Sequence, residues 1–208
     1  YLLPSAVGKT PYFAVSTWET CVVIDLTTGA RVLETEAGSP CVFSPDGTRI
    51  VDNSYTIYNV VTGQKELVLR GVPMRNRAPL MLDNNTALIA YTTQANGVAL
   101  SLWNSDTGKV QAVLAHPITP PAGQYTQAIL SYRIMPDGRY MLTSAIDNAL
   151  RLWDMQDGTL LRTIRLETGV SPEPYPPTIL AIAPDGESAF IQIGGLGIIR
   201  RVRLTAAP

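Results

Sequence analysis

The stretch LTSAIDNALRLWD, Leu142 to Asp154, decides the fold. It is the middle of a hairpin: RYMLTSA (Arg139 to Ala145) and NALRLWD (Asn148 to Asp154) are short runs rich in apolar and hydroxyl residues, and a turn separates them. Working outward, a second turn, MPDG at Met135 to Gly138, joins the first run to QAILSYRIM (Gln127 to Met135). A third turn, closing on Gly158, leads to TLLRTIRL (Thr159 to Leu166). No run of period 3.6 interrupts them, so the segment reads as four antiparallel strands joined by tight turns.

That plan recurs. VVIDLTTG (Val22 to Gly29), TIYNVVTG (Thr56 to Gly63), LSLWNSDTG (Leu100 to Gly108) and LRLWDMQDG (Leu150 to Gly158) each run from an alternating strand through Asp or Asn to a turn ending in Gly. Their closing glycines lie 34, 45 and 50 residues apart. Aligning them puts Ile24, Tyr58, Trp103 and Trp153 in one column and Asp25, Asn59, Asn104 and Asp154 in the next. A second turn series alternates with the first: SPDG at Ser44 to Gly47, LDNN at Leu82 to Asn85, MPDG at Met135 to Gly138 and APDG at Ala183 to Gly186. Pro and Asp set such a bend, and Gly or Asn tolerates positive φ. A period of this length is the mark of a repeat architecture.

These markers resemble the WD-repeat family, whose unit runs an apolar strand, an SPDG turn, an L-x-S strand, a D-x-x-I-R-L-W-D strand and a T-G turn, with a Gly-His pair before the next unit. Residues 142 to 154 match closely, with the second strand one residue short; the Trp is absent from the first and last units. The resemblance implies an all-β propeller of four-stranded antiparallel blades around a central channel. The blades fall at about 1–35, 36–71, 72–117, 118–167 and 168–208, the fifth with three strands, giving nineteen strands in all. A five-bladed ring would need one strand more, so the chain is expected to be part of a larger ring of six to eight blades.

Composition agrees with a folded chain: 46% of residues are hydrophobic and 16% charged. Sixteen Lys plus Arg against 17 Asp plus Glu leave a net charge of −1, which offers no field for a phosphate backbone, so nucleic acid is not an expected partner. No apolar run approaches the length that spans a bilayer. Cys21 and Cys41 have no CxxC spacing and read as two small buried hydrophobes, which suits a reducing, cytoplasmic compartment. The chain begins at Tyr1 without Met or a charged-then-apolar leader, and reads as a processed product or a piece of something longer.

Any hydrolytic or metal chemistry must pass through His116, the one histidine. LAHP, Leu114 to Pro117, falls where the family has its Gly-His pair. The resemblance therefore implies a buried structural network of His116 with Asp147, Ser144 and Trp153, a strut with no catalytic role. Asp46, Asp137 and Asp185 occupy the same turn of different repeats and are explained by turn chemistry. No P-loop, G-x-G-x-x-G or HExxH occurs, and one His with two Cys cannot build a zinc site, so no metal or cofactor is expected. Arg200, Arg201 and Arg203 alternate along a terminal strand and read as a solvated edge, with an acidic partner as the alternative.

Two connections are long and proline-rich, PITPPAGQY (Pro117 to Tyr125) and TGVSPEPYPP (Thr168 to Pro177). Proline limits the entropy lost on docking and tyrosine supplies rigid contact area, so Tyr125 and Tyr175, with Trp18 on the same face, are the partner-binding candidates. The expected function is a non-catalytic scaffold for other proteins or peptides, with small-molecule ligands disfavoured. The competing reading is a piece of a propeller hydrolase, lactonase or dehydrogenase whose catalytic residues lie on other blades; it demands several His, Asp or Glu converging on the channel mouth.

Overall fold

The computed structural model describes residues 2–4, 10–17, 19–38, 41–70, 81, 88–94, 97–118, 129–166, 177–193 and 197–204. Among these, every regular element is a β-strand, and the eighteen strands form five antiparallel sheets. The chain divides into two compact units, Tyr1–Thr92 with Leu100–Gln111, and Thr93–Ala99 with Ala112–Pro208.

The first unit contains two four-stranded sheets, each ordered as the chain runs: β1 (Leu2–Pro4), β2 (Tyr12–Ser16), β3 (Cys21–Asp25) and β4 (Arg31–Glu34), then β5 (Val42–Phe43), β6 (Arg49–Val51), β7 (Thr56–Asn59) and β8 (Lys65–Val68). Ala14, Val23 and Leu33 on one face of the first sheet pack with Phe43, Ile50 and Tyr58 of the second. The second sheet's opposite face buries Val51, Tyr55 and Ile57 with Leu69, Met81 and Trp103. A third sheet of three strands, β9 (Leu88–Gln94), β10 (Gly97–Trp103) and β11 (Val110–His116), has β10 in the middle. The fourth strand expected for that repeat, and its LDNN turn, lie outside the described residues.

The second unit holds the sheet built on LTSAIDNALRLWD: β12 (Ile129–Ile134), β13 (Tyr140–Ala145), β14 (Ala149–Asp154) and β15 (Leu160–Arg165). Beside it lies β16 (Thr178–Ile182), β17 (Ser188–Ile193) and β18 (Ile198–Arg203). Met141 through Ala145 are all buried, because both faces of β13 are covered. Leu142 and Leu150 pack with Ile179, Ala189 and Ile191 of the neighbouring sheet. In contrast, Ile198 to Arg201 of β18 are exposed.

The turn columns have a local cause. Asp25, Asn59, Asn104 and Asp154 each accept on Oδ1 the amide of the residue two further on, at 2.8, 3.0, 3.0 and 2.9 Å. Each main-chain carbonyl then takes the amide of the closing glycine, four residues on, at 2.7 to 3.0 Å. Those glycines have φ between +67° and +79°, which side chains with a Cβ rarely adopt. At Gly158 space is short as well, since an added Cβ would stand 2.7 Å from the Val113 carbonyl oxygen. In the second series, Gly47, Gly138 and Gly186 close β-turns onto Ser44, Met135 and Ala183 at 2.8, 2.9 and 2.8 Å. Asp46, Asp137 and Asp185 each accept a main-chain amide two residues on at 2.9 Å.

The cysteine reading is corrected. Cys21 on β3 and Cys41 ahead of β5 are both fully buried, but they form a disulfide that joins the first and second sheets. Twenty residues separate them in sequence, and it is the packing of two sheets face to face that brings the sulfurs together.

Candidate functional site

His116 ends β11, and its buried ring lies against the indole of Trp153, centroids 4.7 Å apart and planes tilted by 44°. Its Nδ1 is 3.0 Å from the carbonyl oxygen of Leu114. A carbonyl only accepts, so Nδ1 carries the proton and Nε2 is the bare acceptor. The Thr143 hydroxyl donates to Nε2 at 2.8 Å, and Trp153 Nε1–H donates to Thr143 Oγ1 at 2.9 Å. The chain of donors therefore runs from indole to hydroxyl to imidazole to main chain, leaving neither ring nitrogen spare. Burial first, with the charge of Arg151 adding to it against the opposing pull of the Leu114 carbonyl and Asp147, pushes the imidazole down to about 4. His116 is neutral at physiological pH.

Two of the expected partners sit elsewhere. Met141 pairs with Trp153 and Thr143 with Arg151 across the hairpin, so Thr143 shares a face with the indole and Ser144 points the other way. Ser144 Oγ bonds Ser131 Oγ at 3.0 Å, and Ser131 Oγ accepts the amide of Ile179 at 2.8 Å, a link from the fourth sheet to the fifth. Asp147 is taken by Arg151, whose Nη1 donates to Oδ1 at 3.0 Å and whose Nη2 bonds Oδ2. Arg151 is buried, and a buried guanidinium needs this carboxylate more than a neutral imidazole does. The bridging hydroxyl is thus Thr143, and the carboxylate neutralises an arginine.

The other repeats lack this relay. Trp103 is buried as well, and its Nε1–H has no partner among the described residues. Tyr58 takes the Trp position in the second repeat; burial and then the nearby Asp52 carboxylate push its hydroxyl up to about 12. At the turn after Trp153, Arg139 donates to Asp154 Oδ2 through Nε at 3.0 Å and Nη2 at 2.7 Å. That bond, then the Gln156 amide, hold the Asp154 carboxyl below its usual range. Arg201 on β18 donates to Ser188 Oγ at 2.9 Å, along a strand otherwise open to solvent.

Among the described residues, no group of three His, Cys, Asp or Glu could hold a metal ion. Nor is there among them a helix long and apolar enough to cross a membrane. Tyr125, Tyr175 and Trp18 lie outside the described residues.

No protein-family model matches the chain. The WD repeat-containing protein SL1-17 of Schistosoma mansoni is 31% identical over 148 residues, which is 66% of this chain and 44% of that protein. Among solved structures, the WD40 β-propeller domain of Doa1 superposes with a TM-score of 0.59 at 16% identity, covering 93% of this chain and 61% of that one. The computationally designed Ika8 protein gives 0.64 at 15% identity, over 95% of this chain and 57% of that one. The chain thus spans less than half the length of the curated relative and under two thirds of each structure. These likenesses show a propeller fold, with the sheets as its blades.

Proposed function

We propose that this protein is a non-catalytic scaffold that holds other proteins or peptides, as the WD-repeat module of a larger protein, a reading supported by its likeness to a WD repeat-containing protein and to a WD40 propeller. The observation that carries the reading is the commitment of the one histidine. Both nitrogens of His116 are bonded, one to its own strand and one to Thr143 of the next sheet, and the ring is neutral and buried, so it is placed to tie two sheets together rather than to move a proton. The resemblance to WD-repeat proteins supports the protein-holding half of the proposal. In this reading the balanced charge disfavours nucleic acid, and small-molecule ligands are secondary. The share of each relative that the chain covers supports membership of a larger ring.

The cytoplasmic expectation rested on free thiols, and the Cys21–Cys41 disulfide removes that support. Disulfides persist where the surroundings are oxidising, so the crosslink favours maturation in such a compartment.

The partner face proposed is the one carrying Tyr125, Tyr175 and Trp18. It is tested by affinity capture from the source cell, comparing the wild-type chain with a Tyr125→Ala, Tyr175→Ala double variant, and with Trp18→Ala added. Loss of a recovered partner with unchanged melting temperature supports the face. Equal recovery by all three proteins removes it.

A further inference from the structure

A cavity of about 470 Å³ opens between the fourth and fifth sheets, beside the turns Met135–Gly138 and Ala183–Gly186. Its volume lies within the range of sites that take a side chain or small ligand. Tyr140, Leu152 and Leu204 make the walls with Met135, and Pro136 and Pro184 stand at the two lips. The charged side chains that line it are Asp137 and Asp185, one on each turn and both exposed.

Comparison with the equivalent turn of the second sheet shows what is special here. At Gly47 an added Cβ would collide with Thr10, so that gap is filled. At Gly186 the nearest atoms are the Met135 methyl at 3.5 Å and Pro136 Cδ at 3.9 Å. The carboxylates differ too. Asp46 receives hydroxyls from Ser44 and Thr48 as well as an amide. In the cleft turns Met135 and Ala183 stand at the Ser44 position and Arg139 and Glu187 at the Thr48 position, so no such hydroxyl occupies the carboxylate. Among the described residues, Asp137 accepts the amides of Arg139 and Tyr140, and Asp185 that of Glu187, all on Oδ1. Two nearby cations are already engaged: Arg139 pairs with Asp154, and Arg162 donates to the Leu204 carbonyl at 2.6 Å.

An apolar slot with a carboxylate at each lip matches a side chain with an apolar stem and a cationic head. We propose that this cleft receives an arginine or lysine side chain of a partner peptide, flanked there by apolar residues, its stem against Leu152 and Met135 and its charge between Asp137 and Asp185. The inference rests on the scaffold reading and names the chemistry of one partner.

The test uses a fluorescein-labelled decapeptide with a central Arg between two Leu, and its counterpart with Glu in place of Arg. Fluorescence anisotropy against the full chain should give saturable binding of the first, at least tenfold weaker binding of the second, and weakening in 0.5 M NaCl. An Asp137→Asn, Asp185→Asn variant keeps the acceptor oxygen that each turn needs and removes both charges; it should bind the Arg peptide about tenfold more weakly. With methyl-labelled methionine, the peptide should shift the Met135 signal and leave those of Met141 and Met155 in place. Equal binding of the two peptides, equal binding by the Asn variant, or an unmoved Met135 methyl overturns the proposal. Capture of a cellular partner together with any of those results would refute the cleft and leave the scaffold reading standing. Peptide binding that follows charge as stated, with no partner captured, would support the cleft and count against the scaffold.

Discussion

Replacing Thr143 by Val removes one oxygen and almost no volume, yet it should be among the most damaging conservative changes in this chain. The hydroxyl serves two buried groups, accepting from Trp153 Nε1–H at 2.9 Å and donating to His116 Nε2 at 2.8 Å. A contact of 3.5 Å to the Arg151 carbonyl is too long to compete for its proton. Residues 116, 143 and 153 are 2% exposed or less, so water cannot replace the lost bonds. Each orphaned buried group costs about 1–3 kcal/mol, which puts the variant about 2–6 kcal/mol below wild type. Thr143→Ser keeps the hydroxyl and should lose about 1 kcal/mol for its methyl group. Ser144→Ala loses one hydrogen bond while Ser131 keeps the Ile179 amide, and should also cost about 1 kcal/mol. Urea unfolding followed by tryptophan fluorescence measures all three. At an m-value of about 2 kcal/mol/M, the Val midpoint should fall by 1 M or more and the other two by about half that. A Val variant within 0.5 kcal/mol of the Ser variant would refute the relay.

Acid should weaken the protein through His116. Its folded pKa of about 4 lies below the unfolded value near 6.5, so the folded state takes up a proton less readily; stability is intact above pH 6.5 and about 3 kcal/mol is lost as pH falls to 4. Urea midpoints at pH 7.5, 5.5 and 4.5 measure this, and a His116→Gln variant should lose that component of the slope; equal slopes for the two proteins would count against it. Asp147→Ala should cost about 3–5 kcal/mol by stranding buried Arg151, whereas Asp137→Ala should cost about 1 kcal/mol; equal melting temperatures for the two variants would contradict the pairing. Cys21→Ala with Cys41→Ala should cost about 3 kcal/mol, the entropy returned to the unfolded chain by opening a loop of 20 residues. Thiol titration of the unreduced, denatured wild type should find no free thiol, and two would contradict the crosslink.

What was legible in the sequence was what depends on neighbours in the chain. The columns ending in Gly29, Gly63, Gly108 and Gly158 stand out because one Asx bond and one main-chain bond, spanning at most five residues, fix each turn. Parity across a hairpin was harder. Choosing Ser144 over Thr143 needs the register to within one residue, and only the pairing of Met141 with Trp153 supplies it. The arginine in LRLWD could have signalled that Asp147 was spoken for, since a buried guanidinium requires a carboxylate. No such local signal existed for Cys21 and Cys41, whose meeting depends on two sheets packing face to face. The cleft was hidden for the same reason: it lies between turns 48 residues apart in sequence, and the apparent sameness of SPDG, MPDG and APDG conceals the missing hydroxyls.

The most direct examination of the repeat architecture is a set of nuclear Overhauser contacts on isotope-labelled protein. Cross-strand contacts should appear for Phe13 with Ile24, Ile50 with Tyr58, Met141 with Trp153 and Ile191 with Arg200, one pair in each of four sheets. Absence of these contacts, or helical contacts between residues three apart within 139–154, would contradict the account at its root.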